Sequence, residues 1–311
     1  MQHTNWHLRD LAAFHPGTAA DSLPLVIETS YIQDGRDLGR VHRHLDFASL
    51  MIVRRGRGQH LLNGTAYGIS RGDVYVMGLG TAHQWAQFDD LVIASFHFSP
   101  ELFEAATLTA LRETPGFLPL FVGQPPEEGE AGKRWLHLTP DEHLRIEAEI
   151  AEVTTEWERG TPLGALLTRG LFLRLLAHLS QSYVEHRQHG LLPRPAGARE
   201  PTVAAALSYM EAHFTEEVRV ESVAASMFLS PAHFREVFAA AMGCAPRDYL
   251  RLLRVERAKT LLATTDRPIT EIGLASGLSD PAYFARVFRA ETGLTPREYR
   301  RQESGKPLGP N

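Results

Sequence analysis

Residues 231–251 and 281–301 of this chain are two versions of one segment, set at a constant offset of 50 positions. PAHFREVFAAAMGCAPRDYLR overlays PAYFARVFRAETGLTPREYRR with 11 of 21 positions identical, far above chance. The identities fall where a helical pair needs them. Phe234, Val237 and Phe238, like Phe284, Val287 and Phe288, stand at i, i+3 and i+4, the spacing of a buried helix face. Pro231 and Pro281 suit a first helical turn, where the missing N–H costs nothing, and Ser230 suits the N-cap. Gly243 and Gly293 suit the left-handed position after a helix, and Pro246 and Pro296 suit the start of the next.

Upstream of this match Asp280 is an extra residue in the second copy. Val220, Val223, Leu229 and Ser230 therefore pair with Ile269, Ile272, Leu278 and Ser279 at an offset of 49. Each copy predicts a short helix (220–227 or 269–276), a tight turn and a second helix (231–242 or 281–291), the helix-turn-helix plan. A helix over 247–263, about 25 Å long at roughly 1.5 Å per residue, links the copies. An amphipathic helix over 202–214 precedes them and a short one over 296–301 follows. A duplicated helix-turn-helix is a tandem DNA reader.

Charge neither forbids nor demands this reading. The chain carries a net charge of -5, but residues 201–311 hold 14 Lys+Arg against 13 Asp+Glu. That balance is too even to be diagnostic of nucleic acid by itself. Cys244 is the only cysteine, which excludes an intrachain disulfide or a cysteine zinc cluster and fits a reducing compartment. No uninterrupted apolar run approaches the length of a membrane span and the N-terminus has no signal-peptide core. A cytoplasmic protein with no membrane partner is expected.

The rest of the chain reads in two styles. LVIETSY, ASLMIVRR, QHLLNGTAYGI, DVYVMGL and LVIASFHF, between residues 25 and 98, are short β-branched and aromatic runs with Gly or Asp turns between them. Asn63-Gly64 signals a type I′ hairpin. Strands at this spacing imply a barrel or sandwich. Residues 140–157 and 162–186 are then helical. In the second of these, Leu163, Leu166, Leu167, Leu171, Leu173, Leu175, Leu176 and Leu179 cover more than one face, so one side can pack inward and another on a partner chain. HGLLPRPAGAREP (189–201) reads as a linker.

If the Phe-Val-Phe face of each reader helix is buried, the opposite face is free for the major groove. It presents Ala232, His233, Arg235 and Glu236 in the first copy, and Ala282, Tyr283, Arg286 and Arg289 in the second. The buried positions repeat while the exposed ones differ, as expected of two readers of different base sequence. Arg235 and Arg286 are candidates for bidentate contact with guanine, worth about 1–3 kcal/mol of discrimination. Glu236 is a candidate for a cytosine amino group or for orienting Arg235. Arg251, Arg254, Arg257 and Lys259 on the linking helix are expected to meet phosphates or acidic side chains.

Residues 200–301 resemble the AraC-type (AraC/XylS) family of transcription regulators, most closely in GLSDPAYFARVFRAETGLTPREYR (277–300). The resemblance implies seven helices, with two helix-turn-helix units held apart by one rigid helix and inserted into successive major grooves of promoter DNA. It implies RNA polymerase as a further partner. The family's base-contacting positions fall on Ala232, Arg235 and Glu236 and on Ala282, Tyr283 and Arg286; alanine at both early positions leaves less hydrogen-bonding capacity there.

HRHLDFASLMIVRRGRGQHLLNGTAYGISRGDVYVMGLGTAHQW (42–85), with FHFSP after it, resembles the cupin-like sensor of such regulators and is similar in layout to regulators of rhamnose catabolism. His42 and His44, at i and i+2, face one side of a strand and with His83 can converge inside a barrel, a set that suits Zn, Fe or Mn. The glutamate of a metal-binding cupin is absent: Ser49 takes its place and Asp46 is out of register. No metal cofactor is therefore expected. His42, His44 and His83 either hydrogen-bond a polar effector or are structural. Trp85 is the leading aromatic plate for a sugar, with Tyr67, Tyr75 and Phe96 also available. Arg54 and Arg57, near a hairpin, read as solvated.

The fold expected is multidomain α+β. It has a cupin-like β-barrel sensor (1–135), a helical dimerisation or packing segment (136–190), a linker (191–201), a double helix-turn-helix domain (202–303) and a tail (304–311). The function expected is a dimeric, sequence-specific transcription regulator, an activator by family habit, that responds to a small polar effector such as a sugar. Two rivals stand beside it: a metal-dependent cupin isomerase or dioxygenase fused to an interaction module, and an effector-independent regulator whose barrel only dimerises. The duplicated reader and the missing glutamate both oppose an enzyme.

Overall fold

The computed structural model describes residues 4–32, 41–122, 135–188, 201–242 and 244–303. Gly243, the linker up to residue 200 and the tail from 304 lie outside them. The N-terminal part is an eight-stranded sheet in the order β1-β3-β7-β4-β6-β8, with β2 also on β7 and β5 also on β4. Its strands are β1 (Thr4–Trp6), β2 (Leu25–Ile32), β3 (His42–His44), β4 (Ala48–Leu62), β5 (Thr65–Ser70), β6 (Asp73–Met77), β7 (Ala82–Phe98) and β8 (Trp135–His137).

Two long strands curl this sheet into a half-barrel. β4 gives one half to β6 and the other to β5, while β7 is shared between β2 and β3, and the β4/β7 ladder shifts register between Val53 and Gln59. Such a bulge bends a strand and strengthens its twist. Gly56 sits at the bend with φ +77°, where an added Cβ would lie 2.1 Å from the Asp90 carbonyl oxygen. ASLMIVRR and QHLL, read as separate strands from sequence, are thus one bent strand. The predicted Asn63-Gly64 turn is present, with φ positive at both residues.

Strand alternation sorts the side chains onto two faces. Leu50, Ile52, Val74, Val76, Ala94, Phe96 and Leu136 face the core shared with helices α3 (Pro140–Glu158) and α4 (Pro162–Gln188). Met51, Val53, Tyr75, Met77, Trp85, Ile93 and Trp135 face the concave side. Phe96 thus stacks on Phe172 of α4 and belongs to the outer core, not to any concave site. Arg54 is not solvated: its guanidinium pairs with Glu147 of α3 at 2.6–3.0 Å. α4 is apolar and long enough to span a membrane by length and composition, but Phe172, Leu175, Leu176 and Leu179 are buried against the sheet and Leu163, Leu166 and Leu167 are exposed. Two short helices, α1 (Leu8–Ala12) and α2 (Ala105–Glu113), complete the N-terminal part.

The C-terminal part is seven helices: α5 (Pro201–His213), α6 (Val220–Ser226), α7 (Pro231–Met242), α8 (Pro246–Thr264), α9 (Ile269–Ala275), α10 (Pro281–Thr292) and α11 (Pro296–Glu303). It has two separate cores. One joins α5, α6, α7 and the start of α8, up to Leu253. The other begins at Val255 and joins the rest of α8 to α9 and α10. Ser230 is the N-cap predicted for α7, its Oγ accepting from the N–H of His233, and Gly293 is left-handed as the repeat predicts; the cap of α10 is not Ser279, the partner of Ser230, but the inserted Asp280, which accepts from the N–H of Tyr283.

Candidate nucleic-acid interface and concave site

The buried face of α7 is Phe234 and Phe238 with Val237 half-buried; that of α10 is Phe284, Val287 and Phe288. All eight predicted DNA-reading residues, Ala232, His233, Arg235, Glu236, Ala282, Tyr283, Arg286 and Arg289, are exposed on the opposite faces. The two faces are prepared differently. Arg235 is paired with Glu221 of α6. Glu236 therefore does not orient it, and lies instead 3.9 Å from His233. Arg286 lies over the ring of Tyr283, 5.5 Å from its centroid, which holds the guanidinium without neutralising it.

The linking helix is a structural strut more than a phosphate rail. Arg251 binds Asp248 and Glu291, Arg257 binds Asp141 of α3, and Lys259 binds Glu256, so the acidic partners of the sequence reading are found. Among the described residues Arg254 has no carboxylate partner. Its guanidinium donates to the carbonyls of Phe214 and Glu216 and ties α8 to the end of α5.

The concave face of the sheet carries the sensor candidates. The Cα register sets His42 beside His83 across β3 and β7, and the ligand nitrogens of His42, His44 and His83 all lie within 4.8 Å of one another. Around them runs a series of close polar contacts that sequence reasoning missed. His60 Nε2 is 2.9 Å from His83 Nδ1, and His83 Nε2 is 3.1 Å from His44 Nε2. Ser49 Oγ bridges His44 and His97 at 2.8 and 2.7 Å, and His97 reaches Glu28 at 3.2 Å. Burial, reinforced by neighbouring imidazoles, pushes His44 down to about 2 and holds His60 and His83 well below the usual histidine range. Burial works to raise Glu28, but His97 and His15 outweigh it and bring the carboxyl down to about 2. Asp46, out of register as expected, binds His7 and the N–H of Leu8.

Trp85 stacks on His60 with ring centroids 3.9 Å apart, and Trp135 stacks on Tyr75 at 4.6 Å. In this aromatic group three buried polar atoms, His60 Nδ1, Tyr75 Oη and Trp135 Nε1, have no hydrogen-bond partner among the described residues. Unpartnered buried groups of this kind are costly and rare. Trp135 lies far from the other strands in sequence, so only the fold brings it into the group.

The same strand pair that carries Tyr75 and Trp135 carries a second contact between the two parts, besides Arg257–Asp141. His137 Nδ1 is 2.6 Å from Asp73, and its Nε2 is 2.7 Å from Glu211 of α5, which also accepts from the hydroxyl of Tyr249 in α8. All four side chains are buried. Burial opposes a charge on His137, but the flanking carboxylates of Asp73 and Glu211 raise it to about 9.

Residues 223–302 match a helix-turn-helix domain model, and residues 26–130 match the AraC-like ligand binding domain. The chain belongs to the AraC family. It is a transcription regulator with a DNA-binding part and a ligand-binding part. Among its relatives, the HTH-type transcriptional activator RhaS of Enterobacter sp. (strain 638) is 29% identical over 236 residues, 75% of this chain and 78% of that protein. RhaS of Klebsiella pneumoniae (strain 342) is 28% identical over 238 residues, with the same coverage. A crystal structure of an AraC-type transcriptional regulator from Chromobacterium violaceum is 33% identical, with a TM-score of 0.32, and covers 34% of this chain and 94% of that one. The helix-turn-helix match covers α7 and α10, and the ligand-binding match covers the strands from β3 to β7.

Proposed function

We propose that this regulator is an activator whose DNA engagement is set by a small polyhydroxylated effector, a sugar, received on the concave face. Trp85 and Trp135 offer ring faces to the C–H surface of a saccharide. His60 Nδ1, Tyr75 Oη and Trp135 Nε1 offer the polar contacts that its hydroxyls need. The relatives named as transcriptional activators support the sign of regulation.

The observation that carries the coupling is the shared strand pair. Tyr75 faces Trp135 and Asp73 faces His137 in the β6/β8 register, one same-side step apart, about 6.6 Å along a strand. An effector that moves Trp135 or Tyr75 therefore acts next to the His137–Glu211 bridge, and so on how α5 and the first reader are held. An effector shifts such an equilibrium only if it binds two arrangements with different affinity, and the proposal is that the His137–Glu211 bridge is made in one and broken in the other.

On α4, Leu163, Leu166, Leu167 and Gly170 form an exposed i, i+3, i+4, i+7 stripe, which supports a homodimer. Contact with RNA polymerase and residence in the cytoplasm follow from the activator role. Selection of bound genomic fragments, followed by calorimetry of the full chain against a panel of aldoses and deoxy sugars, tests the proposal. A sugar should bind, change promoter affinity, and lose affinity in Trp135→Phe, which keeps an aromatic ring but removes the N–H. Sugar binding that leaves promoter affinity unchanged overturns the coupling, and no heat with any sugar overturns the effector class.

A further inference from the structure

We infer that the concave face also holds a divalent transition-metal ion on the imidazoles of His42, His44 and His83. The three come from two neighbouring strands and their ligand atoms already converge within 4.8 Å. The 3.1 Å between His44 Nε2 and His83 Nε2 is close to the roughly 3.3 Å that two nitrogens keep on a tetrahedral ion bound at about 2.0–2.1 Å.

The surroundings orient these ligands. With the imidazoles neutral, Glu28 accepts from His97 Nε2–H, His97 Nδ1 accepts from the Ser49 hydroxyl, and the Ser49 oxygen accepts from His44 Nδ1–H. The series leaves the lone pair of His44 Nε2 aimed at His83. On the other side His83 Nδ1–H has His60 Nε2 as its acceptor at 2.9 Å, which frees His83 Nε2 in the same way. Metal-binding histidines are held by outer partners of this kind, and a carboxylate commonly ends the chain. Position 49 carries no carboxylate of its own, and Ser49 instead connects through His97 to Glu28.

The donor set names the class of ion. Three imidazoles with no carboxylate in direct contact suit zinc, cobalt, nickel, copper or iron(II), and not magnesium or calcium. Three protein ligands leave a further coordination position for water or an oxygen ligand. Such an ion would pin the three-residue β3 to β7 and, through it, the parallel strand β1. This site does not depend on the identity of the sugar.

Cobalt(II) titration of the full chain, carrying no histidine tag and followed by visible absorption, tests it. One cobalt per chain should bind with a tetrahedral d–d band and be displaced by zinc. His42→Ala should weaken cobalt binding by more than about 100-fold and Glu28→Gln by about 10–100-fold, the range of outer-partner effects. His178→Ala, on α4, should change nothing. His42→Gln replaces the alanine variant if circular dichroism shows that the latter is unfolded. Failure of cobalt to bind at stoichiometric concentration overturns the inference, as does binding that survives both the His42 and a His83→Gln substitution.

Discussion

The first helix-turn-helix unit closes its core on α5 and the first half of α8, and through Glu211 and Tyr249 it is bonded to the sheet at His137. The second closes on the other half of α8 with α9 and α10. Their reader helices follow the same asymmetry. Arg235 is occupied by Glu221, whereas Arg286 rests on Tyr283 with its charge uncancelled. Two copies of one fold have thus been given different attachments. The half of α8 that carries the second unit is tied to α3 through Arg257 and Asp141, so the two units meet the N-terminal part differently: the first through a buried histidine bridge, the second through a partly exposed ion pair.

The most forceful way to break this asymmetry is at the bridge. Glu211→Gln leaves the buried His137 with one carboxylate, and removing one partner of a buried pair typically costs about 3–5 kcal/mol. Scanning calorimetry should show that loss at neutral pH, with promoter binding no longer responsive to effector. Because His137 is raised above its ordinary 6.5 to about 9, the bridge is complete below about 6.5 and lost as pH rises through about 9. The gap between wild type and variant should therefore shrink from pH 6.5 to 9. A constant gap would show that His137 carries no charge in the bridge.

The turns of the two units offer a second comparison. Position 228 of the first aligns with 277 of the second, and both are left-handed, but the residues are Phe228, with φ 58°, and Gly277. Gly277→Ala would place a Cβ 2.7 Å from the Phe214 carbonyl and 2.9 Å from Arg254. It should destabilise the C-terminal part by about 1–3 kcal/mol. Phe228→Gly should go the other way, since left-handed strain at a non-glycine residue costs about 1–2 kcal/mol. Thermal melts of the two variants should move in opposite directions.

At the DNA, Arg286→Ala should cost about 1–3 kcal/mol and relax preference at one base pair. Equal losses on promoter and random duplexes in an anisotropy titration would make Arg286 a phosphate contact. The smallest effect is expected from Glu221→Gln. Freeing Arg235 from an exposed pair worth about 0.2–1 kcal/mol should tighten promoter binding by that amount, while Glu271→Gln on α9 leaves it unchanged.

The repeat made the C-terminal part legible to within a residue or two. Its signals are local: a proline at each helix start, a Phe-Val-Phe face, and an N-cap at Ser230. The exposed faces followed from the buried ones. The concave site was legible in His42, His44, His83, Trp85, Tyr75 and Tyr67, which share one stretch of strand text. Trp135, His97, Glu28 and Glu211 join them from distant segments, and no local period records that meeting; the His137–Glu211 contact alone spans 74 positions. The carbonyl partners of Arg254 were illegible for a related reason: Phe214 and Glu216 lie 40 and 38 positions away and meet it only in the fold.

α8 runs unbroken for 19 residues between the two readers, and this sets a grammar for the operator. An insertion of one base pair between the two reading sites moves them apart by about 3.4 Å and rotates them by roughly 34–36°, one tenth of a helical turn. A continuous helix packed into a core at each end can neither stretch nor twist to follow. Spacer length in the target should therefore be as strictly specified as any base that Arg235 or Arg286 touches, and a spacer variant should retain only one reader's share of the binding.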